Sequence, residues 1–416
     1  MNFSFIHLSD IHLGRPFSGL SEFSCSETII DICKNAVENS LEKVFNFAIN
    51  KKVDFILISG DTFDNIEFDI SSKFVFKQFL KKLEKENIQV FVVCGNHDPI
   101  SSYNKNTFNF EETSSVKIIG LNTPLRAKLP FYSKNNDFTG YIHSVSFLQE
   151  NFKEDLLADF QDINSNDFNI ALLHCDVDGL KDSPYAPCTL SELKKFNFDY
   201  CALGHIHTPK EIDENIHYAG TLQGRNIKEK DEHGIRYICV ENNKIISNNF
   251  ISMDTVRYYD LEIDLSNTND ETTAIETIIE EINQFIQSKQ NLCEAYLLSL
   301  KLTGSVCFYS SINPSFNEIL AEKIQDISIA EIYILQIDNL TTPKIDNEIL
   351  KNDEGISGEL YKLVNSTEEV EILYSKILKE LEKDCIVDTN KEKIINIVKQ
   401  EGKNLCNNIY NEQKED

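Results

Sequence analysis

Val53-Asp54-Phe55-Ile56-Leu57-Ile58-Ser59 runs straight into Gly60-Asp61-Thr62-Phe63-Asp64. The apolar run is too short for a helix and too continuous for a strand with one wet face, so it predicts a buried strand. The aspartates follow where that strand must end. The same arrangement recurs along the first half of the chain. Phe3–Leu8 precedes Asp10-Ile11-His12, and Ile88–Cys94 precedes Gly95-Asn96-His97-Asp98. Asp199–Leu203 precedes Gly204-His205-Ile206-His207, and the run Phe168–Leu173 ends on His174. Helical patterns at Thr28–Asn50 and Ser71–Glu86 separate the first three strands. Buried strands separated by helices predict a sheet covered on both faces, whose strand ends converge on one edge.

Further strands are predicted at Val116–Ile119 and Gly140–Phe147, with Tyr218–Ala219 and Arg236–Val240 continuing the same layer. The pattern predicts an α/β (α+β) fold, a four-layer αββα sandwich over residues 1–252. Strands at Arg257–Leu265, Ala295–Leu302 and Glu331–Ile337 alternate with helices at Glu271–Ser288 and Phe316–Gln325. They predict a small α+β domain over residues 253–345. Residues 346–416 form a C-terminal helical region, with helical patterns at Glu369–Lys383 and Lys391–Tyr410. The narrow stripe of Val370, Ile372, Leu373, Ile377 and Leu378 suits packing on its own domain or docking of a partner helix.

A chain of 416 residues exceeds the size at which one core keeps growing, consistent with two or three domains. Its net charge of −27 counts against a protein that grips nucleic acid unaided. From Arg257 onwards there are 15 basic against 31 acidic side chains, so the deficit is steepest in the second half. The 11 cysteines include no C-x-x-C pair, which argues against a disulfide framework and a structural zinc. No apolar run is long enough to span a membrane, and no basic leader precedes the first strand. A cytoplasmic location is expected.

The strand-end residues share one chemistry. Carboxylates, imidazoles and one amide, without thiolate, suit Mn²⁺, Zn²⁺ or Fe²⁺. Five of the nine histidines fall in these segments. In Asp10-x-His12 and His205-x-His207, a spacing of two puts both side chains on one side of an extended chain. Gly60, Gly95 and Gly204 permit tight turns close to an ion or a phosphate. Taken singly, each segment has a bland reading as a polar strand end, a core histidine or a helix cap; together, in this order, they point to a metal site.

That ordered set, D-x-H, G-D-x-x-D, G-N-H-D, H and G-H-x-H, resembles the calcineurin-like metallophosphoesterase superfamily. Ser9–Phe17 and Ala219–Arg225 are similar to the SbcD branch of DNA double-strand-break repair exonucleases, especially its YhaO-type members. The resemblance spans about residues 1–250. It implies a first metal held by Asp10, His12, Asp61 and His207. It implies a second held by Asp61, Asn96, His174 and His205, with Asp61 bridging. His97 would sit beside the scissile phosphate as a catalytic residue, its imidazole held by Asp64. Members differ at the position of Asp64, which could alternatively cap the helix near Ser71. His143 stands where members often have tyrosine, and could face substrate or lie in the core. Arg15 and Arg225 could contact phosphate or form ordinary salt bridges.

The implied activity is a two-metal, Mn²⁺-dependent 3′→5′ DNA exonuclease and single-strand endonuclease, acting on DNA ends in double-strand-break repair and hydrolysing phosphodiesters by a hydroxide bridging the metals. The implied partners are DNA, an SbcC-like coiled-coil ATPase and a second copy of the chain, with no membrane. A phosphodiesterase for small nucleotides or other phosphoesters would use the same site. A non-catalytic scaffold is the third reading, against which every expected ligand and His97 are present.

Overall fold

The computed structural model describes residues 2–17, 27–64, 70–103 and 115–366, apart from 122, 135–136, 159, 161–162, 164–165, 181, 290–292, 325–329 and 345–346, and only scattered residues beyond 366. The chain divides into two compact units. The first comprises Met1–Tyr259, Asn291–Leu297 and Ile329–Leu335, and the second comprises Asp260–Gln290, Leu298–Ser328 and Gln336–Asp416.

The first unit begins β1 (Asn2–Leu8), α1 (Glu27–Lys51), β2 (Phe55–Ser59), α2 (Ile70–Lys85), β3 (Gln89–Val93) and β4 (Val116–Ile118). It continues β5 (Arg126–Tyr132), β6 (Phe138–Val145), β7 (Phe168–His174), α3 (Leu190–Lys194), β8 (Tyr200–Gly204), β9 (Lys210–Asp213), β10 (Ile216–Tyr218), β11 (Gly234–Glu241) and β12 (Lys244–Ser252). Two six-stranded sheets result, in the orders β12-β11-β1-β2-β3-β4 and β5-β6-β7-β8-β10-β9. In the first, β1 to β4 pair in parallel; in the second, β6, β7, β8 and β10 do.

The period of two along the strands builds the layers. Phe3, Phe5, Phe55, Leu57 and Phe91 share one buried cluster with Ile142, Phe168, Ile170, Leu172 and Tyr200, which joins the two sheets face to face. The alternate residues Ile6, Leu8, Ile56, Ile58, Val90 and Val92 pack instead with Val37, Leu41 and Val44 of α1 and Phe76, Leu80 and Leu83 of α2. On the far side of the second sheet, Val145, Ala171, Leu173, Cys201 and Leu203 meet Phe147, Phe152, Leu156, Phe160 and Phe198. These come from loops, and among the described residues the helix here is the five-residue α3, capped by Thr189 and Glu192. The mixed α/β sandwich is therefore as expected, with a fourth layer that is mostly loop.

The strands β5, β9 and β12 escape the sequence reading, and all three lie at sheet edges. An edge strand has one unpaired side, so its sequence need not be apolar; β5 even carries Pro130, which edges tolerate. The expected common layer for Tyr218–Ala219 and Arg236–Val240 does not form. β10 joins the second sheet and β11 pairs antiparallel with β1 in the first.

Three further strands, β13 (Val256–Asp264), β14 (Ala295–Thr303) and β16 (Glu331–Asn339), form a sheet of their own, in the order β13-β14-β16. Their residues up to Tyr259, Leu297 and Leu335 are counted with the first unit and the rest with the second. The second unit also holds α4 (Glu271–Gln287), the short pair β15 (Ser305–Val306) and β17 (Thr342–Pro343), α5 (Pro314–Ile324), α6 (Asn347–Asn352) and α7 (Ile356–Asn365). Asp270 and Thr273 form a capping box for α4, whose buried stripe is Ala274, Ile275, Ile278, Ile282 and Ile286. The helical patterns at Glu369–Lys383 and Lys391–Tyr410 fall largely outside the described residues. Among the described residues, no helix is long and apolar enough to cross a membrane. Cys94, Cys175 and Cys201 are buried free thiols.

Candidate metal centre

All five polar segments leave the carboxyl ends of parallel strands. Beyond β1 and β2 the chain continues side by side, with backbone N–H groups of Asp10, His12 and Leu13 donating to the carbonyls of Gly60, Asp61 and Thr62 at 3.1, 3.0 and 2.9 Å. The backbone here is strained. Asp10, His12, Asp61 and His205 have φ of +50°, +47°, +50° and +104°, a region that residues with a Cβ seldom adopt. Asp10-x-His12 and His205-x-His207 are therefore not extended, as their spacing suggested, but turn as they leave the strands. Gly60 has φ of +93°, and a Cβ there would sit 2.3 Å from His174 Nδ1. A Cβ on Gly95 would lie 2.2 Å from Asp61 Oδ1. Both glycines let backbone approach the cluster where no side chain fits.

Among the described residues two groups of donors share Asp10, one with His12 and His207 and one with Asp61 and His174, and a third brings His12 together with Asp64 and His97, each with its ligand atoms within 4.8 Å of one another. The Nε2 atoms of His12 and His207 are 3.1 Å apart, and Asp10 Oδ1 lies 4.0 and 3.9 Å from them. Asp61 Oδ2 reaches both groups that share Asp10, 3.8 Å from His12 Nε2 and 3.5 Å from His174 Nε2. Asn96 Oδ1 lies 3.0 Å from His174 Nε2. His205 stands beside this set, its ring 5.3 Å from that of His174, while its backbone N–H donates to both carboxylate oxygens of Asp10 at 3.2 and 3.1 Å.

The other ring nitrogens show what such a set requires. His207 Nδ1 is 2.7 Å from Glu229 Oε1, His174 Nδ1 is 2.9 Å from the Ser59 carbonyl, and His12 Nδ1 is 3.2 Å from Asp64 Oδ1. The Glu229 and Ser59 oxygens accept N–H, which turns Nε2 of His207 and His174 towards the cluster as an acceptor, while Asp64 lies at ion-pair distance from His12 Nδ1. Acceptors facing acceptors need a cation or a proton between them. Burial, then the charge of Asp10, pushes Asp61 up to about 7. Burial lowers His12 to about 3 and His205 to about 4. Burial also opposes a charged His207, yet Glu229 and Asp10 outweigh it and hold its pKa above the ordinary value. The pocket draws positive charge, and oxygen and imidazole donors in this combination fit divalent metal ions.

Comparison with known proteins gives the same answer. Residues 3–209 match the family model of the calcineurin-like phosphoesterases. This segment is a calcineurin-like phosphoesterase domain. The chain is also 26% identical over 299 residues to the uncharacterized metallophosphoesterase YhaO of Bacillus subtilis (strain 168), covering 71% of each protein. Among solved structures it is similar to GAP50, the anchor in the inner membrane complex of Plasmodium, at 15% identity and a TM-score of 0.36, over 61% of this chain and 85% of that one. Metallophosphoesterases bind divalent metal ions, and the donors of this phosphoesterase domain suit them.

His97 lies at the accessible rim of the domain's donor cluster. Its side chain is 39% exposed, and its ring stands 4.8 Å from that of His12. Its backbone N–H donates to Asp61 Oδ1 at 2.9 Å. Asp64 Oδ1 is 3.6 Å from His97 Nδ1 but closer, at 3.2 Å, to His12 Nδ1, and 3.7 Å from Arg15. Asp64 thus serves two histidines, and its carboxylate faces them. The helix considered for Asp64 to cap, α2, begins at Ile70.

Two open readings close. His143 is a core histidine, its Nε2 3.0 Å from Asn169 Oδ1 and its ring against Phe160 and Phe198. Arg225 is buried, and its guanidinium donates to the carbonyls of Ile11 and His12, each at 3.1 Å. Three residues of the site went unread. Glu229 orients His207, and nothing in its neighbourhood of sequence signals this. Asp98 accepts N–H from Gly95 and Thr62, each at 2.8 Å, and so pins the turn that carries Asn96 and His97. Its place in Gly95-Asn96-His97-Asp98 was the available signal. Ser59, whose carbonyl faces His174, is itself held by His7 Nε2 at 2.7 Å.

Proposed function

We propose that this metallophosphoesterase is a DNA nuclease of the SbcD type, hydrolysing phosphodiester bonds at DNA ends with two divalent metals, Mn²⁺ foremost. The observation that carries the hydrolytic part is the convergence of three imidazole Nε2 atoms and two buried carboxylates on one small volume. Asp10, His12, Asp61 and His207 would hold one ion, and Asp61, Asn96, His174 and His205 would hold the other. Bound metals supply Lewis-acid activation of the phosphate and an acidified water, so no protein nucleophile is needed. His97 protonates the leaving oxygen from the rim, with Nδ1 turned to Asp64 and Nε2 towards the substrate. Asp64 keeps that tautomer, and the strained turns at Asp10, His12 and Asp61 hold the donors in place before substrate arrives.

The specific substrate rests on the flanking segments Ser9–Phe17 and Ala219–Arg225 and on the long region after residue 252. Residues 253–345 act as a capping domain that shapes access of DNA. Residues 346–416 dock an SbcC-like ATPase, which supplies the basic surface that a chain of net charge −27 lacks. The assembly contains two copies of this chain. That same charge favours a second reading, a phosphodiesterase for small nucleotides, which needs no extended basic groove. End-labelled linear double-stranded DNA, incubated with purified protein and Mn²⁺, separates the two. Shortening of the label, lost in His97→Asn and with EDTA, supports the nuclease. Intact DNA, both alone and with the ATPase, beside cleavage of bis-p-nitrophenyl phosphate and cyclic nucleotides supports the small-molecule reading.

A further inference from the structure

A loop outside the matched segment braces one side of the metal centre. Residues 221–229 follow β10, beyond position 209 where the family match ends. Glu229 is buried, with Oε1 at 2.7 Å from His207 Nδ1 and Oε2 accepting the backbone N–H of Arg225 at 2.8 Å. Arg225 in turn donates to the carbonyls of Ile11 and His12 and, at 3.2 Å, to Thr221 Oγ1. Thr221 Oγ1 donates to the Asp10 carbonyl at 2.6 Å, and Thr221 N–H to the His207 carbonyl at 2.8 Å. One short loop therefore ties the backbone of Asp10–His12 to both the backbone and the ring of His207. His174 is oriented differently, by the backbone carbonyl of Ser59 in β2.

We propose that Glu229 is a positioning residue that sets the affinity of a single cation position, the one between Asp10, His12 and His207. It fixes His207 with Nδ1–H towards itself and Nε2 towards the ion, while Arg225 transmits the same loop's position to His12. At the second position His174 is oriented by the Ser59 carbonyl and not by Glu229, so the effect there is smaller. This inference rests on the metal reading given above. An outer partner of a ligating histidine contributes about 10–100-fold in metal affinity.

The test is calorimetric titration of the full-length, metal-free protein with Mn²⁺, for wild type, Glu229→Ala and Glu229→Gln. Two binding events are expected in wild type. In Glu229→Ala one should weaken by about 10–100-fold and the other stay within about twofold. Glu229→Gln keeps an acceptor for Nδ1–H but no charge, and should fall between the two. General damage to the fold would instead weaken both events and give no graded rescue by glutamine. Equal weakening of both events, or two wild-type affinities in either variant, overturns the proposal. If Glu229→Ala does not fold, Glu229→Gln decides alone by the same criteria. A wild type that binds no Mn²⁺ sinks the metal reading itself, a different result from two unaltered sites in the variants.

Discussion

The first sheet and the second bring opposite chemistry to the metal centre. Beyond β1, β2 and β3 stand Asp10, Asp61, Asp64 and Asp98, together with His12, Asn96 and His97. At the ends of β7 and β8 stand the imidazoles of His174, His205 and His207; the carboxylates on that side are Asp176, whose charge acts on His205, and Glu229, which arrives from the loop after β10. The second sheet also buries His143 and His217 away from the cluster, each paired with an asparagine. A neutral imidazole enters a core at the cost of one or two hydrogen bonds. A carboxylate does not, and two of them side by side require a counter-charge. The contrast places the demand for cations on the first sheet, with the second supplying shape and lone pairs.

The most severe way to break this contrast is to neutralise the carboxylate that touches both donor groups that share Asp10. Asp61→Asn should lower kcat/KM for bis-p-nitrophenyl phosphate with Mn²⁺ by more than about 100-fold, since even an outer partner is worth about 10–100-fold. Activity within tenfold of wild type would remove the first sheet's special role. Next, His97→Asn should lower kcat by about 100-fold, the lower end of a general acid's contribution, while calorimetry still counts the wild-type number of bound ions. Loss of an ion would make His97 a ligand instead.

Smaller effects sharpen the contrast. Asp98→Asn turns one accepting oxygen into an NH₂ facing backbone N–H, and should cost about 1–3 kcal/mol in urea unfolding. For the second sheet, burial, followed by the charge of Arg236, lowers His217 to about 4. Its folded pKa lies below the unfolded value, so the unfolded chain takes up the proton first as pH falls from about 6.5. Stability is therefore lost on acidification through that range. Between pH 7 and pH 5 the wild type should lose about 1–2 kcal/mol more than His217→Gln. Equal losses would show that His217 protonates within the fold.

Much of this architecture can be read without coordinates because it depends on short-range regularities. A run such as Phe55–Ser59 is apolar on both faces only if both faces are covered, and Asp61 or His205 can follow it only where the strand has ended. Edge strands β5, β9 and β12 lack that signature because half of each strand's surroundings is solvent or loop. Glu229 is unreadable for another reason: its partner His207 lies 22 positions away, across β9 and β10.

By itself the sequence determined the alternating strand order, the two-sheet class and the strand-end residues available as donors, since periodicity and chain termination are local properties. Only the tertiary structure decided which nitrogen of each histidine faces the cluster, that Asp64 stands between His12 and His97, that Arg225 is a buried brace, and that His143 is packing. Those outcomes depend on which distant atom comes within about 3 Å of a given lone pair, and that distance is set by the packing of the two sheets against each other.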